Sequence, residues 1–230
     1  MKTLPALENF PAKTVSFLKK LSKNNSRDWF EAHRDVYNSD FLEPALQLVV
    51  ELGEKLQTIT PNIQAVPKID KSIFRLHRDV RFSKDKSPYK TNLGIYFWEG
   101  KKKMESSGFY LEVNTKGFFF GSGIYMPSKE QWKIYRDAVS DPIIGKELDQ
   151  AVKKILRKGS YSIGGKKYKK IPKGYNPDSQ YAEYLLYEGL YAYYESENIN
   201  ELNNKEVVDF SFKKFRDMLP VHRWLVKVLG

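Results

Sequence analysis

Apolar residues recur at helical spacing through the first quarter of the chain. Phe17, Leu18 and Leu21 share one face, and Asn24-Asn25 ends that segment. Ser26 caps a second helix carrying Trp29, Phe30, His33 and Tyr37. Asp40 and Pro44 open a third, whose Leu46, Val49, Val50 and Leu56 keep the period to about Thr58. Pro61 and Pro67 mark a connector. The pattern then changes to alternation, which reads as strands from about Lys71 to Met126. Four runs share one design. Phe74, Leu76, Val80 and Phe82 alternate with Arg75, His77, Asp79 and Arg81. Leu93, Ile95 and Phe97 alternate with Asn92, Gly94, Tyr96 and Trp98. Phe109, Leu111 and Val113 oppose Tyr110, Glu112 and Asn114, and Phe118, Phe120 and Ile124 oppose Phe119, Gly121, Gly123 and Tyr125.

One face of this sheet is therefore core. The other meets water, is covered by N-terminal helices, or forms a ligand trough at Gly94, Gly121 and Gly123 walled by Tyr96, Trp98, Tyr110 and Tyr125. Gly100 to Ser107 reads as a hairpin loop, and Asn114-Thr115-Lys116-Gly117 as a turn. Ser128 and Gln131 form a capping box, and Asp141-Pro142 starts a further helix that stops at Gly159. The tyrosine-rich segment from Ser160 to Gly174 reads as a strand or hairpin turning at Gly164-Gly165. A short helix follows over Ser179 to Tyr187, then a strand over Leu190 to Tyr194. Lys205 to Leu229 reads as two helices split at Pro220. The expected fold is one α+β domain over residues 1–230. Its antiparallel sheet spans about residues 71–126 plus short later strands, packed with N-terminal and C-terminal helices.

Composition narrows the function. The chain has 230 residues, 41% of them hydrophobic, enough for a self-sufficient core. It has no cysteine, which excludes disulfides, thiolate metal sites and cysteine nucleophiles, and fits a reducing cytoplasm. No apolar run is long enough to span a bilayer. The opening MKTLPALENFPAKTV has no continuous apolar stretch, so no signal peptide is expected. The net charge of +11 favours anionic partners.

Charge is densest in RDVRFSKDKSPYKTN, residues 78–92. Residues 71–90 carry seven Lys or Arg and two Asp, a net of +5. Arginine offers a planar fork of donors that matches an oxyanion. Arg75, Arg78, Arg81, Lys84, Lys86 and Lys90 are therefore candidate contacts for a phosphate- or carboxylate-bearing ligand. Asp79 and Asp85 organise them, and a concave site is expected around Arg75, Arg81 and Tyr89. Pro88 stiffens the loop, and Phe82 and Tyr89 anchor its two ends. Arg78 falls on the apolar face, so it is expected to pair, with Asp85 or another carboxylate. The same charges read equally well as a salt-bridge lattice.

Other chemistry has weaker support. His77 and Asp79 on one strand face offer a metal-binding pair or a base, His77, oriented by Asp79, and Glu112 joins them only if their strands are neighbours. His33 reads as a satisfied, partly buried residue and His222 as a surface one. No Ser-His-Asp elbow, phosphate-binding glycine loop or dinucleotide-binding glycine fingerprint is present, and neither a metal site nor a cofactor is assigned. The alternative is a nucleic-acid-associated protein using Lys166, Lys167, Tyr168, Lys169, Lys170 and Lys173, beside Lys153, Lys154, Arg157 and Lys158. A solvated edge explains those lysines as well.

IFRLHRDVRFSKDKSPYKTNLGIYF, with FLKKLSKNNSRDWFEAHRDVY before it and GFYLEV, GSGIYMPS and IPKGY after it, resembles the bacterial and fungal family catalogued as domain of unknown function 2461. The resemblance runs from about Phe10 to Leu225. It implies a signature at Arg75, Arg78, Asp79, Arg81, Phe82, Asp85, Lys86, Pro88, Tyr89 and Lys90, all present, and it implies no reaction. The family pattern often has histidine where this chain has Asn92 and Glu112, and His-Pro where it has Asn176-Pro177. If those histidines are catalytic or bind a metal, this member lacks that chemistry.

Overall fold

A computed structural model describes Leu7, residues 9–202 and residues 206–230. The N-terminal residues bearing on a signal peptide, and Lys205 at the start of the expected C-terminal helices, lie largely outside the described residues. Among the described residues no helix is long and apolar enough to cross a membrane. The architecture is α+β. Among the described residues, seven α-helices, α1 (Ala12–Lys23), α2 (Arg27–Ala32), α3 (Arg34–Tyr37), α4 (Glu43–Gln57), α5 (Lys129–Ser140), α6 (Pro142–Leu156) and α7 (Val207–Leu229), accompany five strands. The strands are β1 (Asn92–Trp98), β2 (Gly108–Asn114), β3 (Phe118–Ile124), β4 (Ser162–Lys166) and β5 (Tyr187–Ser196). They form one antiparallel sheet in the order β1-β2-β3-β5-β4.

The chain divides into two compact units. The first comprises Met1–Phe97, Tyr110–Phe119 and Glu195–Phe212. The second comprises Trp98–Phe109, Phe120–Tyr194 and Lys213–Gly230. In the first, the apolar stripe of α1 meets an aromatic cluster. Phe17 lies 5.9–6.1 Å from Trp29, Tyr37 and Phe41. In the second, Trp132 stacks on Tyr135 at 4.0 Å, and Tyr135 meets Trp224 edge-on at 5.7 Å. The Tyr135 and Trp224 polar ends donate to the Tyr184 and Ile144 carbonyls, so these rings are buried without stranding a donor.

Local signals place several elements as expected. Ser26 accepts from the Trp29 amide, and Ser128 and Gln131 form the reciprocal capping box. Asp141 accepts from the amides of Ile143 and Ile144, with Pro142 in the first turn. The core face of the sheet is also as alternation predicts. Leu93, Ile95, Phe97, Phe109, Leu111, Val113, Phe118, Phe120 and Ile124 are all buried.

Five expectations need correction. The second helix is not continuous: it breaks at His33, and a π-helical turn over Asn38–Leu42 leads into α4. The run from Ile73 to Phe82 is not a strand. It pairs with β1 only near Ile73 and then folds back on itself, so no single partner continues the ladder. The trough alternative finds no open space at Gly94 or at Gly123. A methyl group on Gly94 would fall 2.9 Å from the Tyr110 hydroxyl and 3.2 Å from the Phe74 ring, and one on Gly123 would strike the Leu190 carbonyl of β5. Gly164-Gly165 makes a bulge within β4 rather than a turn. Finally, α7 continues through Pro220, with Met218, Leu219, Val221 and Leu225 buried around it. Packing on both sides of the proline sustains a helix whose local chemistry argues for a break.

Candidate anion-binding loop

The chain from Leu76 to Lys90 is a narrow excursion from the first unit, closed at its base by two backbone bonds. The Arg78 amide donates to the Pro88 carbonyl at 2.8 Å, and the Lys90 amide to the Leu76 carbonyl at 2.8 Å. Tyr89 is the anchor. It is only 2% exposed, stacks on Phe30 at 4.3 Å and meets His77 edge-on at 4.8 Å. Burial raises its hydroxyl pKa. Asn25 pins its backbone in both directions: the side-chain amide donates to the Tyr89 carbonyl, and its oxygen accepts from the Tyr89 amide, each at 3.0 Å. Sequence reasoning took Asn25 only as a helix stop. Tyr89 is thus not at a ligand surface, and Phe82 is not an anchor, because its side chain lies 95% exposed at the tip.

The loop's two carboxylates are used inside it. Asp85 accepts from the Ser87 hydroxyl at 2.7 Å and the Ser87 amide at 2.9 Å, and it pairs with Arg78. These contacts, those of Ser87 first, hold its pKa down to about 2. Arg78 also donates to the Ser87 carbonyl at 3.1 Å and the Ser83 hydroxyl at 3.4 Å, which meets the expectation that it would be paired. Asp79 grips the side of Arg81, from Nε at 2.9 Å and Nη2 at 2.7 Å, and this bond lowers its pKa. Lys86 crosses the loop to the Val80 carbonyl at 3.0 Å. The charges therefore form a lattice spanning two to nine residues in sequence.

Four cations remain. Arg75, Lys84, Lys86 and Lys90 make no carboxylate ion pair among the described residues. Lys90 lies over the Phe74 ring at 5.7 Å. Its pKa is lowered, by burial first and then by the charge of Arg75, against the opposing pull of Asp70 and Glu112. Burial and the like charge of Arg75 thus both disfavour the protonated form of Lys90.

The acid-base alternative does not assemble. Glu112 accepts from Asn92 at 2.9 Å, Tyr110 at 2.8 Å and Asn114 at 3.1 Å. His77 packs on Tyr89 and Phe30, and Asp79 is held by Arg81. Each of the three is engaged elsewhere. Among the described residues no group of three His, Asp or Glu is placed to hold a metal. His33 donates from Nδ1 to the Trp29 carbonyl at 2.8 Å and stacks on that ring.

The second unit holds a polar string that sequence reasoning missed. His222 is fully buried, not at the surface. Its Nε2 lies 3.0 Å from a Glu99 carboxylate oxygen, and its Nδ1 2.9 Å from the Ser107 hydroxyl. With Nε2–H donating to Glu99, Nδ1 is left to accept from Ser107, so a neutral ring satisfies both. The order resembles a hydrolytic relay, but Ser107 is itself only 5% exposed and closed to a substrate carbonyl. The string is structural. In the lysine-rich segment of the same unit, Lys166 pairs with Glu183, and Lys167 and Tyr168 bond Glu188. Lys169, Lys170 and Lys173, with Tyr175, line a shallow depression of about 500 Å³.

The family described as conserved hypothetical protein, DUF2461, matches residues 13–224, and the chain belongs to it. No curated protein matches the chain.

Proposed function

We propose that this DUF2461 member binds a small anionic ligand, bearing phosphate or carboxylate, on the loop between Arg75 and Lys90. One observation carries the reading. Both loop carboxylates are consumed in shaping the loop, while Arg75 and Lys90, whose charges repel, make no carboxylate ion pair among the described residues. An anion between them would relieve the repulsion and offset the desolvation of Lys90. Arg81 uses one edge of its guanidinium on Asp79, which fixes the fork and leaves Nη1 for a ligand oxygen. The cysteine-free composition supports a cytoplasmic setting for this binding.

The nucleic-acid alternative on the lysine-rich segment is weaker there, because Lys166, Lys167 and Tyr168 already have carboxylate partners. Isothermal titration with inorganic phosphate tests the main reading. The wild type should bind, and an Arg75→Ala, Lys90→Ala variant should bind at least about tenfold more weakly, the size of one lost charged hydrogen bond. Equal affinity in the double variant would refute it.

A further inference from the structure

Phe82 is the most exposed large apolar side chain among the described residues, at 95%. Phe10, Phe17, Phe41, Phe97, Phe109, Phe120 and Phe215 are all nearly or fully buried. A single exposed apolar side chain is ordinary on a protein surface. This one differs in being mounted. The loop beneath it is stapled by Asp85 to Arg78 and Ser87, by Asp79 to Arg81, and by Lys86 to the Val80 carbonyl. The Arg81 guanidinium lies 5.8 Å from the Phe82 ring centre, within cation–π range. Lys84 and Lys86 follow the ring in sequence, and both side chains are exposed.

We propose that this tip is a stacking platform for an unpaired base of single-stranded nucleic acid, with Phe82 under the base and Arg81, Lys84 and Lys86 on the adjacent phosphates. The proposal rests on the anion reading and deepens it: the anion becomes a phosphodiester. Base stacking on one aromatic ring is strong and indifferent to sequence, and the cations that track the backbone need only sit beside it. Asp79 and Asp85 do not oppose the strand with free charge, because each is bonded to an arginine. Charge complementarity also favours nucleic acid over a lipid surface. Ser83, Lys84 and Asp85 follow Phe82 directly, so insertion into acyl chains would drag polar groups with one ring, where membrane affinity needs a larger apolar face.

The test uses the intact protein and fluorescence anisotropy of labelled twelve-nucleotide oligo(dT) and oligo(U) at roughly 50 mM salt, where phosphate contacts are favoured. Wild type should bind, and binding should weaken as salt rises. Phe82→Ala should lose about tenfold or more in affinity, while Phe82→Trp, which keeps a stacking face, should retain it. Phosphate titration of Phe82→Ala should match wild type, since the ring contributes nothing to a bare anion. If phosphate binds but the oligonucleotides do not, or if Phe82→Ala binds them as well as wild type, the stacking proposal is wrong and the anion reading stands. If neither ligand binds, both fall. Binding to phosphatidylserine vesicles that depends on Phe82, without oligonucleotide binding, would also overturn the proposal and make the tip a lipid-surface contact.

Discussion

The loop from Arg78 to Lys90 and the string Glu99–His222–Ser107 are assembled from the same kind of contact. In each, one polar side chain bonds to a hydroxyl and to a group of opposite or complementary character. Their surroundings differ. The Asp85 side chain is 61% exposed, and water replaces any bond it loses, whereas His222 is fully enclosed and its partner Ser107 is buried with it. The same chemistry should therefore control local shape in the loop and global stability in the string.

The largest effect that would sharpen this contrast is on the string. His222→Ala removes the bonds to Ser107 and Glu99 and opens a cavity in the core, at a cost of about 3 kcal/mol. Calorimetry should show Tm falling by roughly 6–12 °C for a chain of this size. A fall below about 2 °C would erase the distinction. Asp85→Ala should do the reverse. Global Tm should stay within about 2 °C of wild type, while hydrogen exchange of amides 78–90 should accelerate. Uniform protection in that variant would mean that the backbone pairing and Tyr89 suffice without the lattice.

The loop also carries a pH dependence of known sign. Asp85 has a folded pKa of about 2, below its ordinary 3.8, so the ionised form is the one that the loop favours. Its contribution is complete above about pH 4 and is lost as pH falls towards 2. Asp79, also lowered, acts in the same direction. Exchange protection of residues 78–90 should drop across that window ahead of the sheet, and the drop should be smaller in Asp85→Asn. A loop whose protection is flat from pH 4 to 2 would break the account. The smallest effect expected is on the lysine-rich segment. Replacing Lys166, Lys167, Lys169 and Lys170 together by Ala should leave the salt dependence of oligonucleotide binding nearly unchanged. A change in slope of roughly 3 would mean that all four engage phosphates and would move the interface there.

What the sequence made legible was decided largely by distance along the chain. The caps at Ser128 and Asp141 act within three residues, and the loop lattice within nine, so residue types and spacing suffice to anticipate them. The core face of β1 to β3 is equally local in its period. The failures have longer range. The partners of Lys166 and Lys167 lie 17 and 21 residues away, and those of His222 lie 115 and 123 residues away. Yet one signal for His222 was present. Phe215, Met218, His222 and Leu225 follow a helical period, and all four are fully buried. Reading Pro220 as a break hid that face. The run at 73–82 misled in another way: its alternation is strand-like, but the chain changes pairing partner midway, which periodicity does not register. Asn25 gave no sign that it would pin Tyr89, because that contact spans 64 residues.

The central claim is that the loop spends its carboxylates on its own shape so that its remaining cations face an anion. Titration of the isotopically labelled protein with inorganic phosphate, followed by amide and side-chain NMR shifts, tests it most directly. The account predicts saturable shifts concentrated at Arg75, Arg81, Lys84, Lys86 and Lys90, with the Arg75 and Lys90 side chains moving most and Lys166 and Lys167 still. Shifts spread evenly over every exposed lysine, or none in the loop at saturating phosphate, would contradict it.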